Sequence, residues 1–404
     1  MIEQRVRSIV GSEGVIDVDA HGCVEVAPRS EEEGALLLSA AHDERWSVRF
    51  CGNGNWIPRD APANLAISTR RLVGVSGLNS ADLVLTASAG TSIVDLKAAA
   101  AKEGTWIALD PPGTERSLGS LLATGTAGPL RTGFGAVRNR ILGLTFVTAD
   151  GRIVHVGGRV VKNVAGFDLT SLLVGSFGGF GLITSANVRL NALPAADQTM
   201  VVHAERDVLL DGARTILASG ATPAAMELFS PDTRDPNAWN LSIRTVGSET
   251  AVTADQSSIS HAASHLTFDV LDGDSATQFW AASQAETTKH STTLRVGSLQ
   301  SELGQALDLL SSASHNDGGG TASVSVLAGV TRWSCNAAVA EIQNLRDLAA
   351  GHDWPVTLER APWEVRSCVG HYGAYRDGVG RIVASLRDVF DDRGLVVVPL
   401  GHTV

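Results

Sequence analysis

The feature that most constrains this chain is a pair of glycine-rich runs in which small residues are mixed with apolar ones. The first is Ser117-Leu-Gly-Ser-Leu-Leu-Ala-Thr-Gly-Thr-Ala-Gly128; the second runs from Val160 to Ile183 and includes Lys162, Gly166, Gly175 and Gly178-Gly-Phe-Gly181. A surface linker built from small residues would be polar throughout, so both runs read as ordered turns next to a core. Glycine lets the backbone take positive φ and lets another body come close to the main chain. Rows of N–H groups exposed in this way bind anionic groups such as a pyrophosphate. Tight turns in a glycine-rich sheet protein would use the same residues, and the pattern alone leaves both readings open.

The segments before the first run alternate strand and helix. Val15-Ile-Asp-Val and Cys23-Val-Glu-Val read as short strands ending at Pro28. Ser30 with Glu33 is a capping-box pair that opens a helix through Ala35-Leu-Leu-Leu. Trp46–Phe50 is a strand feeding Cys51-Gly-Asn-Gly-Asn-Trp56, which is too rich in Gly and Asn to continue as strand. Leu83–Ala87 is a buried strand, and Ser92 with Asp95 caps a helix closed by Gly104. Ser117 stands at the start of a short helix of small residues, where N–H groups and the helix dipole favour a phosphate. Leu142–Thr148, Ala149-Asp-Gly151 and Arg152–Val156 make a hairpin with an Asp-Gly turn, and Gly181–Leu190 is a last strand. Pro194 marks a boundary.

Taken in order, Asp110-Pro-Pro112, Ser117-Leu-Gly-Ser120, Ala123-Thr-Gly125, Gly128-Pro129, Gly135-Ala-Val-Arg-Asn139 and Val161–Leu169 resemble the FAD-binding domain of the vanillyl-alcohol oxidase/PCMH class. The resemblance is closest to the E-type FAD-binding subunits of bacterial glycolate oxidases, and is densest over residues 83–190. It implies an α+β fold: a two-part PCMH-type FAD-binding domain over residues 1–193, then an α+β cap over 194–404 with a largely antiparallel sheet. The final 25 or so residues are expected to pack back on the first domain. It also implies FAD held by Gly52, Asn53, Gly54, Asn55, Pro111, Ser117, Gly119, Ser120, Thr124, Gly125, Gly128, Gly135, Arg138, Gly178, Gly181 and Ile183. Ser120 stands where the family usually has glycine, so its side chain is expected to point away from the cofactor.

Length and composition fit this reading. A chain of 404 residues with 44% hydrophobic and 19% charged residues can fill two cores and is not expected to be disordered. A net charge of −11 argues against nucleic acid or an anionic membrane as a main partner. The four cysteines form no CxxC pair, which argues against a bound metal or an iron–sulfur cluster in this chain. No long apolar core follows the charges of Met1–Arg7 and no stretch is apolar enough to span a bilayer, so a cytoplasmic location is expected, with membrane association only through partner subunits. Neither a G-x-G-x-x-G after a strand nor a P-loop occurs.

From Ala195 onward helices alternate with short strands. Thr199–His203, Val208–Ser219 and Ala225–Phe229 read as a βαβ-like unit. Trp239–Arg244, a helix near Asp255–Ala263 and Leu266–Val270 read as another, with Glu249–Ser264 a mobile helix or loop. Thr293–Val296, a helix Leu299–Ser311, a strand Ala322–Val330, a helix Ala337–Ala350 and Val356–Leu358 continue the pattern. A helix near Gly378–Phe390 and a strand Leu395–Pro399 close the chain.

Oxidation of a hydroxy acid on a flavin needs a cation for the carboxylate and a base for the hydroxyl proton. The candidates are Arg138, Lys162 and His371. The histidine-rich metal segment of catalytic relatives (Gly-His-x-Gly-Asp-Gly-Asn) does not occur. The resemblance therefore implies an FAD-binding subunit that oxidises glycolate within a complex, beside a homologous catalytic flavin subunit and an iron–sulfur subunit. The alternatives are a self-sufficient FAD oxidase of another alcohol or hydroxy acid, and an assembly subunit that keeps the fold without flavin.

Overall fold

The computed structural model describes residues 2–113, 115–159, 167–313, 319–376 and 378–401. Lys162 and most of the Val161–Leu169 motif lie outside the described residues. The fold is α+β, built on three main sheets.

The first sheet has the order Val15–Val18, Val24–Val26, Leu65–Ser68, Val48–Cys51; its first pair is antiparallel and the other two pairs are parallel. Helices Ile2–Val10 and Glu31–Glu44 cover it with Val6, Val10, Leu37 and Leu38, packed on Val48, Leu65 and Ile67. The second helix starts where the sequence says it should: Ser30 Oγ accepts the Glu33 N–H at 3.2 Å.

The second sheet is antiparallel throughout, in the order Val75–Asn79, Val84–Ser88, Leu182–Arg189, Ile141–Val147, Ile153–Gly157. The hairpin of residues 141–157 turns at Gly151, whose φ is +86°. Helices Ile93–Lys102 and Leu118–Thr124 bury Leu96, Leu118, Leu121 and Leu122 against Leu85, Phe146 and Ile183.

The third sheet carries eight strands among the described residues, all antiparallel to their neighbours. Strands Ala196–Ala204 and Ala225–Ser230, joined by helix Arg206–Ala218, do not pair; Trp239–Gly247 lies between them, antiparallel to both. Helix Glu249–Ala262 then leads to Asp269–Asp272 on the far side of Ala196–Ala204. This is a split β-α-β arrangement, β-α-β-β-α-β in all. The second half repeats it: Thr292–Gly297, helix Leu303–Ala313, Thr321–Ser325, Val330–Cys335, helix Val339–Ala350, Val356–Arg360. The halves join where Ala225–Ser230 pairs with Thr321–Ser325, and helix Gly273–Glu286 links them in sequence. One face of the sheet is apolar under the helices (Met200, Leu228, Leu241, Ile243, Leu294, Val296, Leu358). The other face is polar: Glu227 lies opposite Ser242 and Ser325, Ser323 opposite Arg332, and Arg332 pairs with Glu359.

Several expectations need correction here. The segment Ala322–Val330 is not one strand but a hairpin, because the chain reverses at Gly329 with φ +60°. The strand placed at Leu266–Val270 forms at Asp269–Asp272, since Leu266 instead packs on the helices. Glu249–Ala262 is one helix, capped by Ser248 Oγ on the Ala251 N–H at 3.2 Å. Leu395–Pro399 forms no strand of its own, yet it runs beside the first sheet. There the Val48 N–H donates to Leu395 O and the Val397 N–H to Val48 O, both at 2.8 Å. Helix Val379–Phe390 lies against the second sheet through Phe390, which packs on Phe146 and Phe180.

Candidate functional site

A cleft opens between the first two sheets, with the C-terminal segment and helix Trp363–Val369 closing its side. One wall is the Cys51–Trp56 loop that follows strand Val48–Cys51. The opposite wall is the start of helix Leu118–Thr124, where Ser117 Oγ caps the Ser120 N–H at 3.2 Å. The walls are tied at the mouth by Asn55 Nδ2, which donates to Glu115 Oε2 at 2.8 Å.

Of the residues singled out in the sequence, Gly52, Asn53, Gly54, Asn55, Ser117, Gly119, Ser120, Thr124, Gly178, Ile183 and His371 line this cleft together. Gly52 faces Ser117: a Cβ built there would stand 3.3 Å from Ser117 Oγ and 4.0 Å from Ser120 Cβ. The Ser120 side chain therefore sits on the inner wall rather than turned away from it. Gly54 has φ +80° and Gly178 φ +81°, so both need glycine for backbone reasons. Gly119 is different. Its missing Cβ makes room for Ala89, whose carbonyl accepts the Gly119 N–H at 2.6 Å.

The remaining candidates lie elsewhere. Pro111, Gly128 and Gly135 border a smaller pocket beneath the helix. A Cβ on Gly128 would overlap Asp110 O at 1.7 Å, so the turn there is pressed against the 110–112 backbone. Gly125 ends the helix with φ +61° against Gly175, and Gly181, with φ +142°, packs on the Val147 carbonyl. Arg138 stands on the surface, half exposed, paired with Asp168 Oδ2 at 2.9 Å. It holds the N-terminus of helix Leu169–Leu173 rather than facing the cleft.

Four further side chains were not picked out from the sequence, and they define the cleft's chemistry. Arg49, Trp56, Arg59 and Arg116 all line it. Each carries a buried N–H without a partner: Arg49 Nε and Nη1, Trp56 Nε1, Arg59 Nε and Arg116 Nε. Orphaned buried donors are costly, about 1–3 kcal/mol each, unless a ligand supplies acceptors. Every one of these groups is donor-only. The rest of each side chain is anchored: Arg59 Nη2 donates to Gly52 O at 3.0 Å, and its Nη1 lies 3.0 Å from Glu25, which also pairs with Arg70. Arg116 donates from Nη1 to Pro112 O and from Nη2 to Thr124 Oγ1, and stacks over Trp56 at 4.3 Å. Burial pulls the Arg116 guanidinium down to about 9, so it keeps its charge at neutral pH. The sequence did carry a signal for one of them: Arg49 interrupts an otherwise apolar strand between Val48 and Phe50.

His371 enters from the cap side. Its ring stacks on Phe177 at 3.7 Å and 11°, and Nδ1 donates to Leu358 O at 2.7 Å. Burial, only partly offset by that hydrogen bond, pushes it down to about 3, so it is neutral. Tyr372, beside it, donates its O–H to Gly175 O. Arg366 pairs with Asp60, so the cap helix Trp363–Val369 is fastened to the far end of the Gly52 loop. Burial raises the Cys51 thiol to about 11, which makes it an inert wall residue.

Glycines that free the backbone, a capped helix start and unpaired donor-only groups line one cleft, a set whose buried N–H groups an anionic ligand would satisfy. Residues 24–157 match the family described as FAD binding domain. Glycolate oxidase subunit GlcE of Escherichia coli (strain K12) is 35% identical over 147 residues, 36% of this chain and 41% of that protein. The probable mitochondrial D-lactate dehydrogenase of Danio rerio is 33% identical over 209 residues, 46% of this chain and 42% of that one. The chain thus matches less than half the length of these curated relatives. The solved structure of 4-ethylphenol oxidase from Gulosibacter chungangensis, in its isoeugenol complex, has a TM-score of 0.73. It covers 98% of this chain and 95% of its own at 14% identity, a likeness of fold. Residues 24–157 thus match an FAD binding domain, and the cofactor is FAD.

Proposed function

We propose that the chain is an FAD-dependent oxidoreductase acting on a small 2-hydroxy acid, and that it works as one subunit of a complex with a homologous flavin subunit and an iron–sulfur subunit. The observation that carries this reading is the set of unpaired N–H groups of Arg49, Trp56, Arg59 and Arg116 in a cleft edged by Gly52–Asn55 and Ser117–Ser120. The donor set fits FAD, whose pyrophosphate supplies acceptors for such groups. Ile183, Phe177 and Val396–Val398 add apolar wall for ring systems. In this reading residues 1–193 hold the cofactor and residues 194–404 form the cap. Bound FAD supplies the two-electron acceptor; the protein's own part is to bind, orient and exclude water. The names of the relatives, a glycolate oxidase subunit and a D-lactate dehydrogenase, support the substrate class and the complex.

The test is a visible absorbance spectrum of the purified chain before and after acid precipitation, followed by anaerobic addition of glycolate or D-lactate. Flavin bands that move to the supernatant, and that bleach with substrate when the partner subunits are present, are the expected result. A colourless chain that stays colourless after incubation with FAD would overturn the reading. Bleaching by substrate in the isolated chain would keep the chemistry and remove the need for partners.

A further inference from the structure

Among the described residues, four guanidiniums line the cofactor cleft, those of Arg49, Arg59, Arg116 and Arg366, against one carboxylate, Glu115. Three of the four come from the first half of the chain. Arg366 comes from the cap, on helix Trp363–Val369, and is only 3% exposed. Its Nε donates to Ala361 O at 2.7 Å, and its Nη2 donates to Pro58 O at 3.4 Å and to Asp60 Oδ1. No described group takes Nη1. Asp60 does two things at once: Oδ1 holds Arg366, and Oδ2 accepts the Trp363 N–H at 2.5 Å, at the start of the same helix. An acceptor from the far end of the Gly52 loop therefore satisfies an open N–H of a cap helix and fixes where that helix carries Arg366.

Arg49 belongs to strand Val48–Cys51 of the first sheet and is 8% exposed. Among the described residues its guanidinium reaches only Cys23 Sγ, 3.8 Å from Nη2, and Nε and Nη1 are buried without a partner. Glu25 stands in the same row of the sheet, two strands away through Ala66, but it pairs with Arg59 and Arg70. Arg49 thus carries a buried charge with no carboxylate of its own. Burial lowers Arg366, its pairing with Asp60 opposes this, and the charge of Arg49 lowers it again. Two guanidiniums, one from each half of the chain, therefore repel each other in one cleft, and an anion between them reverses the sign of that interaction. Planar guanidiniums match the paired oxygens of a phosphate group.

We propose that Arg49 and Arg366 are the two arms of a clamp on one phosphate-class anion, one arm from each half of the chain, and that Asp60 positions the arm carried by the cap. The choice of the FAD pyrophosphate as that anion rests on the function proposed above. The clamp itself stands on the two arginines, and a free pyrophosphate ion offers the same oxygens. Arg366 is a binding residue in this arrangement and Asp60 a positioning residue, which acts through Arg366 and the helix start. The cap then takes part in holding the cofactor as well as covering it, and the anion, by neutralising both arms, fastens the cap to the first half.

Isothermal titration of the full chain with FAD and with inorganic pyrophosphate tests this. Arg49→Met and Arg366→Met are each expected to lower the affinity for FAD at least about tenfold, the loss of one charge-assisted contact, while Arg49→Lys stays within about threefold of wild type. Asp60→Leu should weaken FAD at least about fivefold, and Asp60→Asn, which keeps an acceptor and leaves Arg366 its full charge, less than about twofold. Pyrophosphate is expected to bind the flavin-free chain and to be excluded from the FAD-loaded one, which puts the pyrophosphate of FAD in the clamp. Pyrophosphate that binds the FAD-loaded chain, and binds it more weakly in both Arg→Met variants, keeps the clamp and gives it a separate anion. Thermal unfolding separates a ligand role from a structural one. Without ligand, Arg49→Met should unfold no lower than wild type, because a repulsion is relieved; with FAD it should unfold at lower temperature than wild type. Arg49→Met and Asp60→Leu decide the matter if Arg366→Met is insoluble. An equal fall with and without FAD, or affinities for both ligands within about threefold of wild type in either Arg→Met variant, would overturn the clamp. If the chain takes up no FAD, the flavin reading fails by itself, and the pyrophosphate titrations still decide this one.

Discussion

At the scale of the residue, two positions separate backbone constraint from ligand chemistry. A glycine in a cofactor-binding loop is read as leaving room for another body at its main chain. At Gly54 the structure gives a different reason: the nearest atoms to a Cβ there belong to the flexible Arg59 side chain at 2.8–3.2 Å, whereas φ is +80°. A β-branched residue in that region costs about 1–2 kcal/mol, and Arg59 must also move. Gly54→Val is therefore expected to retain at least about tenfold less FAD through gel filtration, with Gly54→Ala intermediate. A flavin-to-protein ratio equal to wild type in Gly54→Val would remove the Cys51–Trp56 loop from the site. His371 makes the opposite case, a residue buried as a neutral ring. His371→Ala loses the Phe177 stack and the Leu358 hydrogen bond, about 2 kcal/mol together, and should leave flavin content intact. Its folded value, about 3, is below the ordinary 6.5. Above pH 6.5 both states are neutral; as the pH falls the unfolded chain takes up the proton first, so stability is lost from about pH 6.5 down towards 3, by up to about 1.4 kcal/mol per unit. Urea unfolding at pH 7 and pH 5 should show that loss in wild type and a smaller one in His371→Phe, which keeps the stack. Identical pH dependence in the two would mean that His371 is not held neutral.

At the scale of the element, the helix Leu118–Thr124 shows what one sequence run has to satisfy at once. Its start must present Ser117 to the cleft while Gly119, two residues on, touches Ala89 on the far side. Gly119→Ala puts a Cβ 2.9 Å from Ala89 Cβ and 3.1 Å from its carbonyl, an overpacking cost of about 1–3 kcal/mol. Thermal unfolding should shift downward by the same amount with and without added FAD, because the strain lies between helix and sheet. A shift seen only with FAD would make Gly119 a ligand contact instead. The same helix shows why much of the first half was legible. Ser30, Ser92 and Ser117 each cap a helix through a hydrogen bond to a residue three positions on, a signal contained in the local sequence. The cap was harder to read. Thr321–Ser325 and Val330–Cys335 are separated by Val326-Leu-Ala-Gly329, which has no polar turn chemistry, so periodicity ran the two strands together. The repeat of two β-α-β-β-α-β halves was also missed, because it lies in the strand pairing and not in similar residues. Arg49, Arg59 and Arg116 come from three separated segments, and only the fold brings their unpaired N–H groups to one cleft.

At the scale of the whole molecule, the chain closes on itself, and its C-terminal segment forms part of the cleft wall. After the cap, helix Val379–Phe390 returns to the second sheet and residues 395–400 lie along strand Val48–Cys51 of the first, the strand that leads into the Gly52 loop. Asp391 fixes the turn between them, its carboxylate accepting the Leu395 and Val396 N–H groups at 2.7 and 2.9 Å. His371 and Tyr372 take the Pro399 and Leu400 carbonyls at 2.8 Å, so the tail is held between cap and first sheet. Val396, Val397 and Val398 then form part of the cleft wall, about 350 residues from the glycine loop opposite. Deleting residues 392–404 removes the buried Leu395, Val396 and Leu400, about 1.5–3 kcal/mol each, together with the hydrogen bonds to Val48. The shortened chain is expected to lose FAD on gel filtration and to unfold at lower temperature, although every glycine-rich segment is intact. Val396→Asp keeps the length and places a carboxylate in a wall that also carries the unpaired donors of Arg49 and Arg59. It should weaken FAD by competing for those donors, while the equivalent Val396→Thr, close to isosteric, should weaken it far less. Wild-type flavin content in both the truncation and Val396→Asp would mean that the first 190 or so residues make the site alone; loss in both would make FAD binding a property of the closed chain.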